Sequence, residues 1–160
     1  MTTATADLYD ERGDELDSLG VQFLDLGGRT SFAGPIRTVR CHRDNALVKR
    51  VLATPGGGAV LVVDGGGSLE SALVGDLIAA SAVENGWAGI IVNGVIRDRV
   101  AIASLDLGVK ALGSNPRKSA KDGRGEVDVP VTIESLIATI TGEDVLLDAA
   151  EAELVSALGG

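Results

Sequence analysis

Two unbroken apolar runs constrain this chain more than anything else: "AVLVVD" at 59–64 and "GIIVNG" at 89–94. A strand with one wet face alternates apolar and polar residues. These runs do not alternate, so each predicts a strand buried on both faces. Gly56–Gly58 precede the first run and Gly65–Gly67 follow it, supplying turns at both ends. Between the runs, Leu69, Leu73, Leu77 and Ala80 fall on one stripe and Gly86 follows. That spacing predicts the longest helix, Ser68 to Asn85.

The rest of the chain continues the alternation. Thr5 to Leu19 reads as a helix, with Thr5 as its cap, acidic first turns and recurring Leu8, Leu16 and Leu19. "GGRTSFAGPIRTVRC" is a glycine turn and then a strand carrying Ile36, Val39 and Cys41. "NALVKRVLA" (45–53) and "RDRVAIASL" (97–105) read as short helices; "GVKALG" (108–113) and "VDVPVTI" (127–133) read as strands. "SNPRKSAKDGRGE" (114–126) is a polar loop, and the tail from about 134 reads as a strand, a turn and a final amphipathic helix. Strands alternating with helices make an α/β fold, and 160 residues without an internal repeat make one domain over 1–160.

Composition excludes several function classes. A net charge of −9 and only four aromatic residues (Tyr9, Phe23, Phe32 and Trp87) argue against nucleic acid, which needs basic surface and stacking platforms. The same charge suits a basic protein partner. No apolar run approaches the roughly 18 residues of a membrane span. The single Cys41 forms no internal disulfide and no signal segment is recognisable, so the expected compartment is the cytoplasm.

Several tempting residues carry a plain reading. "VVDGGGSLESAL" has the strand, glycine turn and helix layout of a phosphate site, but neither GxGxxG nor GK[ST], so tight turns are preferred. His42 is the sole histidine, which rules out a histidine triad or multi-histidine zinc site within one chain, and it reads as a strand-end residue. Cys41 reads as a buried small hydrophobe. Arg117, Lys118, Lys121 and Arg124 cluster on the polar loop; a solvated face is preferred, an anion site the alternative.

Asp76, Arg97 and Asp98 are harder to dismiss. On the helix reading Asp76 stands among Leu73, Val74, Leu77 and Ile78, where an unpaired carboxylate is costly. Arg97 and Asp98 lie just past the C-terminal end of the run at 89–94, the edge where open α/β sheets bind ligands. Two carboxylates and a guanidinium suit a hard divalent cation with an anionic ligand. They equally suit a structural ion pair in which Arg97 bridges the two aspartates. On the residues alone both readings stand.

Taken together, "LGGRTSFAGPIRTVRC", "DNALVK", "VLVVDGGGSLESALVGDLIA" and "GWAGIIVNGVIRD" resemble the RraA family (regulator of ribonuclease E activity A), related to the class II 4-hydroxy-4-methyl-2-oxoglutarate aldolases. The likeness runs from about Thr5 to Ile133, and the aldolase branch carries an Asp, twenty residues, then Arg-Asp, as Asp76, Arg97 and Asp98 do. The resemblance implies a layered β/β/α swivelling-domain fold, assembled as a homotrimer with sites between subunits. It implies that Asp98 binds Mg²⁺ or Mn²⁺ directly and Asp76 holds the metal's waters. Arg97 and the backbone of Gly75, Asp76, Leu77 and Ile78 would bind a short 2-keto acid. The implied reactions are aldol cleavage and oxaloacetate decarboxylation, both through a pyruvate enolate stabilised by Lewis-acid catalysis and Arg97. Ribonuclease-inhibiting members lack the acidic residue after the Arg; their activity implies the rival reading, a non-enzymatic regulator docking on a basic segment of a ribonuclease. Two departures stand out: Ala101 replaces an acidic residue of the aldolase pattern, and "GEDVLLDAAEAELVSALGG" keeps only part of the family's tail.

Overall fold

A computed structural model describes residues 4–13, 16–133, 136–138, 144–148 and 153–157. In chain order the elements are α1 (Thr5–Arg12), β1 (Leu16–Ser18), β2 (Leu24–Asp25), β3 (Ser31–Arg40), α2 (Ala46–Leu52), β4 (Val60–Asp64), β5 (Ala72–Val74) and α3 (Asp76–Glu84). Then follow β6 (Gly89–Ile96), α4 (Arg99–Ala103), β7 (Gly108–Ser114), β8 (Glu126–Val127), β9 (Val131–Ile133), β10 (Leu136–Ala138), β11 (Asp144–Asp148) and β12 (Glu153–Ala157).

The two apolar runs form the centre of the sheet. β3, β4, β6 and β7 pair in parallel in that order, β5 adds to β6, and antiparallel strands extend both edges. Val60, Leu61, Val62 and Val63 are all fully buried. The pleat sends them to opposite faces: Leu61 and Val63 join a cluster with Val48 and Leu52 of α2 and Ala79 and Ala82 of α3. Val60 and Val62 join Phe32, Ile91, Val131 and Ile133 on the other side. Helices thus cover one face and β9 the other, the β/β/α layering that the resemblance implied. The layers close tightly where Phe32 crosses the sheet. A Cβ on Gly89 would lie 2.2 Å from its ring and one on Gly108 2.1 Å, so only glycine fits beneath it. Among the described residues no helix is long and apolar enough to cross a membrane.

Four sequence expectations are corrected. The first helix stops at Arg12, with Thr5 inside it rather than capping it; Leu16–Ser18 is a strand because it pairs with β12. The long helix from Ser68 does not form. Ala72 and Val74 pair with Val95 and Ile96, and Gly75 is extended, so α3 starts only at Asp76. Leu69, Leu73 and Leu77 consequently share no face: Leu73 is buried, whereas Leu69 is 58% exposed and Leu77 81%. The run 127–133 is two strands, divided where Asp128 takes a left-handed φ of 57° and Pro130 lacks an N–H. In the tail, Asp144–Asp148 and Glu153–Ala157 are strands paired with each other where a final helix was expected, while 149–152 and 158–160 lie outside the described residues.

Candidate functional site

Strand register assembles the site. Parallel pairing sets Val74 of β5 against Ile96 of β6, so the next residues, Gly75 and Arg97, emerge side by side at the C-terminal edge. The Arg97 N–H donates to Val74 O at 2.9 Å, locking that juxtaposition. Asp98 then turns left-handed (φ 58°, ψ 45°), a conformation Asp tolerates better than most residues. Asp98 precedes α4 but its side chain makes no cap bond there. Instead its Oδ2 accepts from the Asp76 N–H at 3.1 Å, at the start of α3. A carboxylate facing that helix end meets the positive end of its dipole.

Gly75 is the hinge of this arrangement. A Cβ there would sit 3.0 Å from Asp98 Oδ2 and 3.3 Å from Arg97 Nε, which is where both side chains need room. Asp76 is half-buried at the helix start, not embedded among apolar side chains as the long-helix reading required, and its Oδ1 accepts from the Leu77 N–H at 2.9 Å. Arg97 Nε stands 3.9 Å from Asp98 Oδ2, at the limit of an ion pair, with the two side chains 34% and 38% exposed. Among the described residues Arg97 pairs with no other carboxylate, so a bridge from Asp76 to Asp98 is not formed. The guanidinium fork is left facing a pocket.

That pocket has a volume of about 230 Å³. Gly75, Asp76, Leu77, Ile78 and Arg97 line one side; Asn45, Lys49, Lys118, Ser119 and Lys121 line the other. Asp98 lies behind Arg97 and faces an adjoining depression with Arg99, Ser114 and Asn115, which Arg97 also lines. Four cations against one carboxylate make the pocket a receiver for anions, in a chain whose net charge is −9.

Lys118 and Lys121 were read as part of a solvated face; Asn45 and Lys49 were not singled out at all. The loop 114–126 reaches the pocket because it is tied down. The buried Asp44 carboxylate accepts four backbone N–H groups: Ala46 (3.1 Å) and Gly123 (3.3 Å) on Oδ1, Asp122 (3.0 Å) and Arg124 (3.2 Å) on Oδ2. Burial pushes its pKa up, but the four N–H bonds outweigh burial and hold it below the ordinary carboxylate value. Ser119 Oγ donates to Ala72 O at 2.7 Å, and Lys121 Nζ donates to Asn45 Oδ1 at 3.1 Å. Asn45 Nδ2 in turn reaches Leu73 O at 3.3 Å. An Asp followed by Asn at a helix start ("DNALVK") was the available signal, but three of the four N–H groups that Asp44 accepts lie 78 to 80 residues away.

The remaining candidates behave as structure. The turn at Gly65–Gly67 has left-handed φ at Gly66 and Gly67, and Asp64 Oδ1 accepts the Gly66 N–H at 2.9 Å, placing a carboxylate where a phosphate would need to sit. Cys41 is buried, and burial, reinforced by the fields of Asp44 and Asp64, pushes its thiol up to about 12, too high for a nucleophile at neutral pH. His42 is exposed at the end of β3.

Asp76 and Asp98 suit a hard cation. Among the described residues no three His, Cys, Asp or Glu side chains form a metal cage. Mg²⁺ and Mn²⁺ do not require one, since ions of this kind bind through one or two carboxylates and keep several waters. Asp98 uses Oδ2 toward Asp76 and Arg97, which leaves Oδ1 for an ion. Ala101, exposed on α4, offers no further oxygen from its side chain.

The RraA-like family (Aldolase/RraA) matches residues 5–149. The structure of the RNA-processing inhibitor RraA from Thermus thermophilis superposes with a TM-score of 0.92 at 43% identity, covering 99% of this chain and 94% of that one. A protein from Geobacillus kaustophilus HTA426, described as an S-adenosylmethionine:2-dimethylmenaquinone methyltransferase, gives 0.93 at 42% identity over 99% and 96%. Streptomyces coelicolor RraAS2, described as an unusual member of the RNase ES inhibitor RraA family, gives 0.72 at 25% identity over 97% and 80%. These descriptions name different activities, so the residues must choose among them.

Proposed function

Because the chain belongs to the RraA-like (Aldolase/RraA) family, we propose that it is a divalent-metal-dependent lyase cleaving short 2-keto acids, with 4-hydroxy-4-methyl-2-oxoglutarate aldolase and oxaloacetate decarboxylase activity. One observation carries the reading: Asp98 turns away from its own helix onto the Asp76 N–H, beside a guanidinium that faces a cation-lined pocket. A structural ion pair has no need of that pocket.

The chain's residues divide the work. Asp98 would hold Mg²⁺ or Mn²⁺ directly and Asp76 through water; the ion, when bound, supplies Lewis-acid polarisation of the keto oxygen. Lys49, Lys118 and Lys121 draw the anionic substrate in. Arg97 takes its carboxylate with a planar fork, in a pocket that Gly75, Asp76, Leu77 and Ile78 at the start of α3 also line. As the C3–C4 bond, one carbon removed from the C2 keto group, breaks, its electron pair passes into a C2–C3 double bond and charge grows on the keto oxygen, where Arg97 stabilises it. Pyruvate release from oxaloacetate, measured with Mg²⁺, without it and with chelator, tests the reading; activity indifferent to all three sinks it.

The 43% identity with an RNA-processing inhibitor favours a second reading, a regulator that binds a basic segment of a ribonuclease. The acidic surface suits such a partner. Calorimetry with an arginine-rich peptide at low and high salt tests it: salt-sensitive, saturable binding supports a regulator.

For either function we propose a homotrimer. Leu77 and Val100, 81% and 90% exposed, stand at the start of α3 and on α4 beside the site, where a neighbouring subunit would cover them.

A further inference from the structure

Two buried serines stand where the polar loop meets β5, and the proposed reaction gives neither of them a role. Ser71 immediately precedes β5 and is 3% exposed; Ser119, 8% exposed, lines the pocket that Arg97 faces. Resting on the lyase reading, we propose that Ser119 Oγ accepts a hydrogen bond from a hydroxyl on C4 of the substrate. The pocket then selects 4-hydroxy-2-keto acids over keto acids without that group.

The protons fix the assignment. Ser119 Oγ lies 2.7 Å from Ala72 O and 2.8 Å from Ser71 Oγ. A carbonyl oxygen has no proton to give, so the single Ser119 proton is committed to Ala72. Ser71 must then be the donor between the two hydroxyls. Ser119 Oγ thus donates one hydrogen bond, accepts one, and keeps one lone pair with no proton left to offer. It meets a ligand as an acceptor only. Such a group is scarce in this pocket. Lys49, Arg97, Lys118 and Lys121 only donate. Asn45 Oδ1 already accepts from Lys121 Nζ at 3.1 Å, and the proposed reaction gives Asp76 to the metal's waters. Among the described side chains that line the pocket, Ser119 Oγ is the acceptor left for a proton donor on the substrate.

A carboxylate or keto oxygen gains nothing from that lone pair, whereas a hydroxyl brought in without an acceptor loses the bond it made to water. The cations of the pocket draw the charged ends of the substrate, and Ser119 reads the hydroxyl between them. Its two bonds also hold Ser119 still, because Ala72 is itself fixed by its N–H donating to Arg117 O at 2.9 Å.

The test uses two ligands that differ only in the hydroxyl, 2-oxoglutarate and 4-hydroxy-2-oxoglutarate. Each is titrated by calorimetry into the full chain with chelator present, so that no turnover intervenes. The parent should bind the hydroxylated ligand roughly fivefold more tightly, the worth of one neutral hydrogen bond. Ser119→Ala should erase that preference. Ser119→Cys, whose sulfur is a weak acceptor, should lose it too and serves if the alanine variant does not fold. Ser71→Ala removes the same bond between the hydroxyls but leaves Ser119 its carbonyl partner and its lone pair. Ser71 does not line the pocket, so this variant should keep the preference. A loss caused by packing alone would appear at both serines, and thermal midpoints on the same samples check that each variant folds. No binding of either ligand, equal binding by the parent, a preference that survives in Ser119→Ala, or one lost equally in Ser71→Ala overturns the proposal. Pyruvate release from oxaloacetate, which has no hydroxyl on C4, decides the lyase reading separately. A parent that releases pyruvate yet shows no hydroxyl preference keeps that reading and loses this one. A Ser119-dependent preference without pyruvate release keeps the acceptor and loses the chemistry.

Discussion

Asp44→Asn tests how the site is held together. Each Asp44 oxygen accepts two backbone N–H groups, Oδ1 from Ala46 and Gly123, Oδ2 from Asp122 and Arg124. An asparagine keeps one acceptor oxygen and turns an amide toward the other two donors. Leaving a buried donor unsatisfied costs about 1–3 kcal/mol. Two donors give about 2–6 kcal/mol, and release of the loop into water caps the loss near the lower half, about 2–4 kcal/mol. For a domain of this size each kcal/mol is worth roughly 2–4 °C in Tm, so a fall of about 4–16 °C is expected. Lys118 and Lys121 leave the pocket with the loop, so KM for a 2-keto acid should rise more than kcat falls. The sign with pH follows from the depressed Asp44 pKa. Between the folded and the ordinary carboxylate values the unfolded chain binds the extra proton. The stabilisation is thus complete above about pH 4 and is lost as pH falls through the folded value. The Tm gap between parent and variant, followed by calorimetry from neutral to acid pH, should narrow in that range. A variant with the parent's Tm at neutral pH, or a gap independent of pH, would refute the clamp.

Asp98→Ala should abolish metal-dependent pyruvate release, and Asp76→Ala should lower it about 10–100-fold as an outer ligand does; full turnover in both folded variants would remove the assigned site. Arg97→Lys keeps the charge but not the fork, so turnover should drop while metal binding, read by calorimetry, stays near the parent's. Unchanged turnover with a lower Tm would favour the regulator. Gly75→Ala has an allowed backbone (φ −119°, ψ −173°) but places a methyl 3.0 Å from Asp98 Oδ2, so activity should fall with little change in Tm. Light scattering at micromolar concentration should give a trimer; a stable 16.3 kDa monomer would exclude it.

How much of this the sequence dictated can be followed element by element. β4 and β6 were readable because unbroken apolar runs of that length have no wet face and fit only inside a sheet. The order Asp76, twenty residues, Arg97, Asp98 was readable as well, since the β5–α3–β6 unit delivers it locally. Strand β5 was not. Leu69, Leu73 and Leu77 fall at helical spacing, and only pairing with Val95 and Ile96 decides that Leu73 goes inward while Leu77 stays in solvent. The same holds for Leu16–Ser18 and Glu153–Ala157, which are strands because each finds the other. Local pattern encodes whether a segment has an apolar face; it does not encode which distant backbone will accept its hydrogen bonds. The basic loop shows this most plainly. Nothing in "SNPRKSAKDGRGE" distinguishes a solvated face from the wall of a pocket. That was settled by Asp44, whose carboxylate accepts N–H groups 78 to 80 residues away and brings Lys118, Lys121 and Arg124 to the walls of pockets.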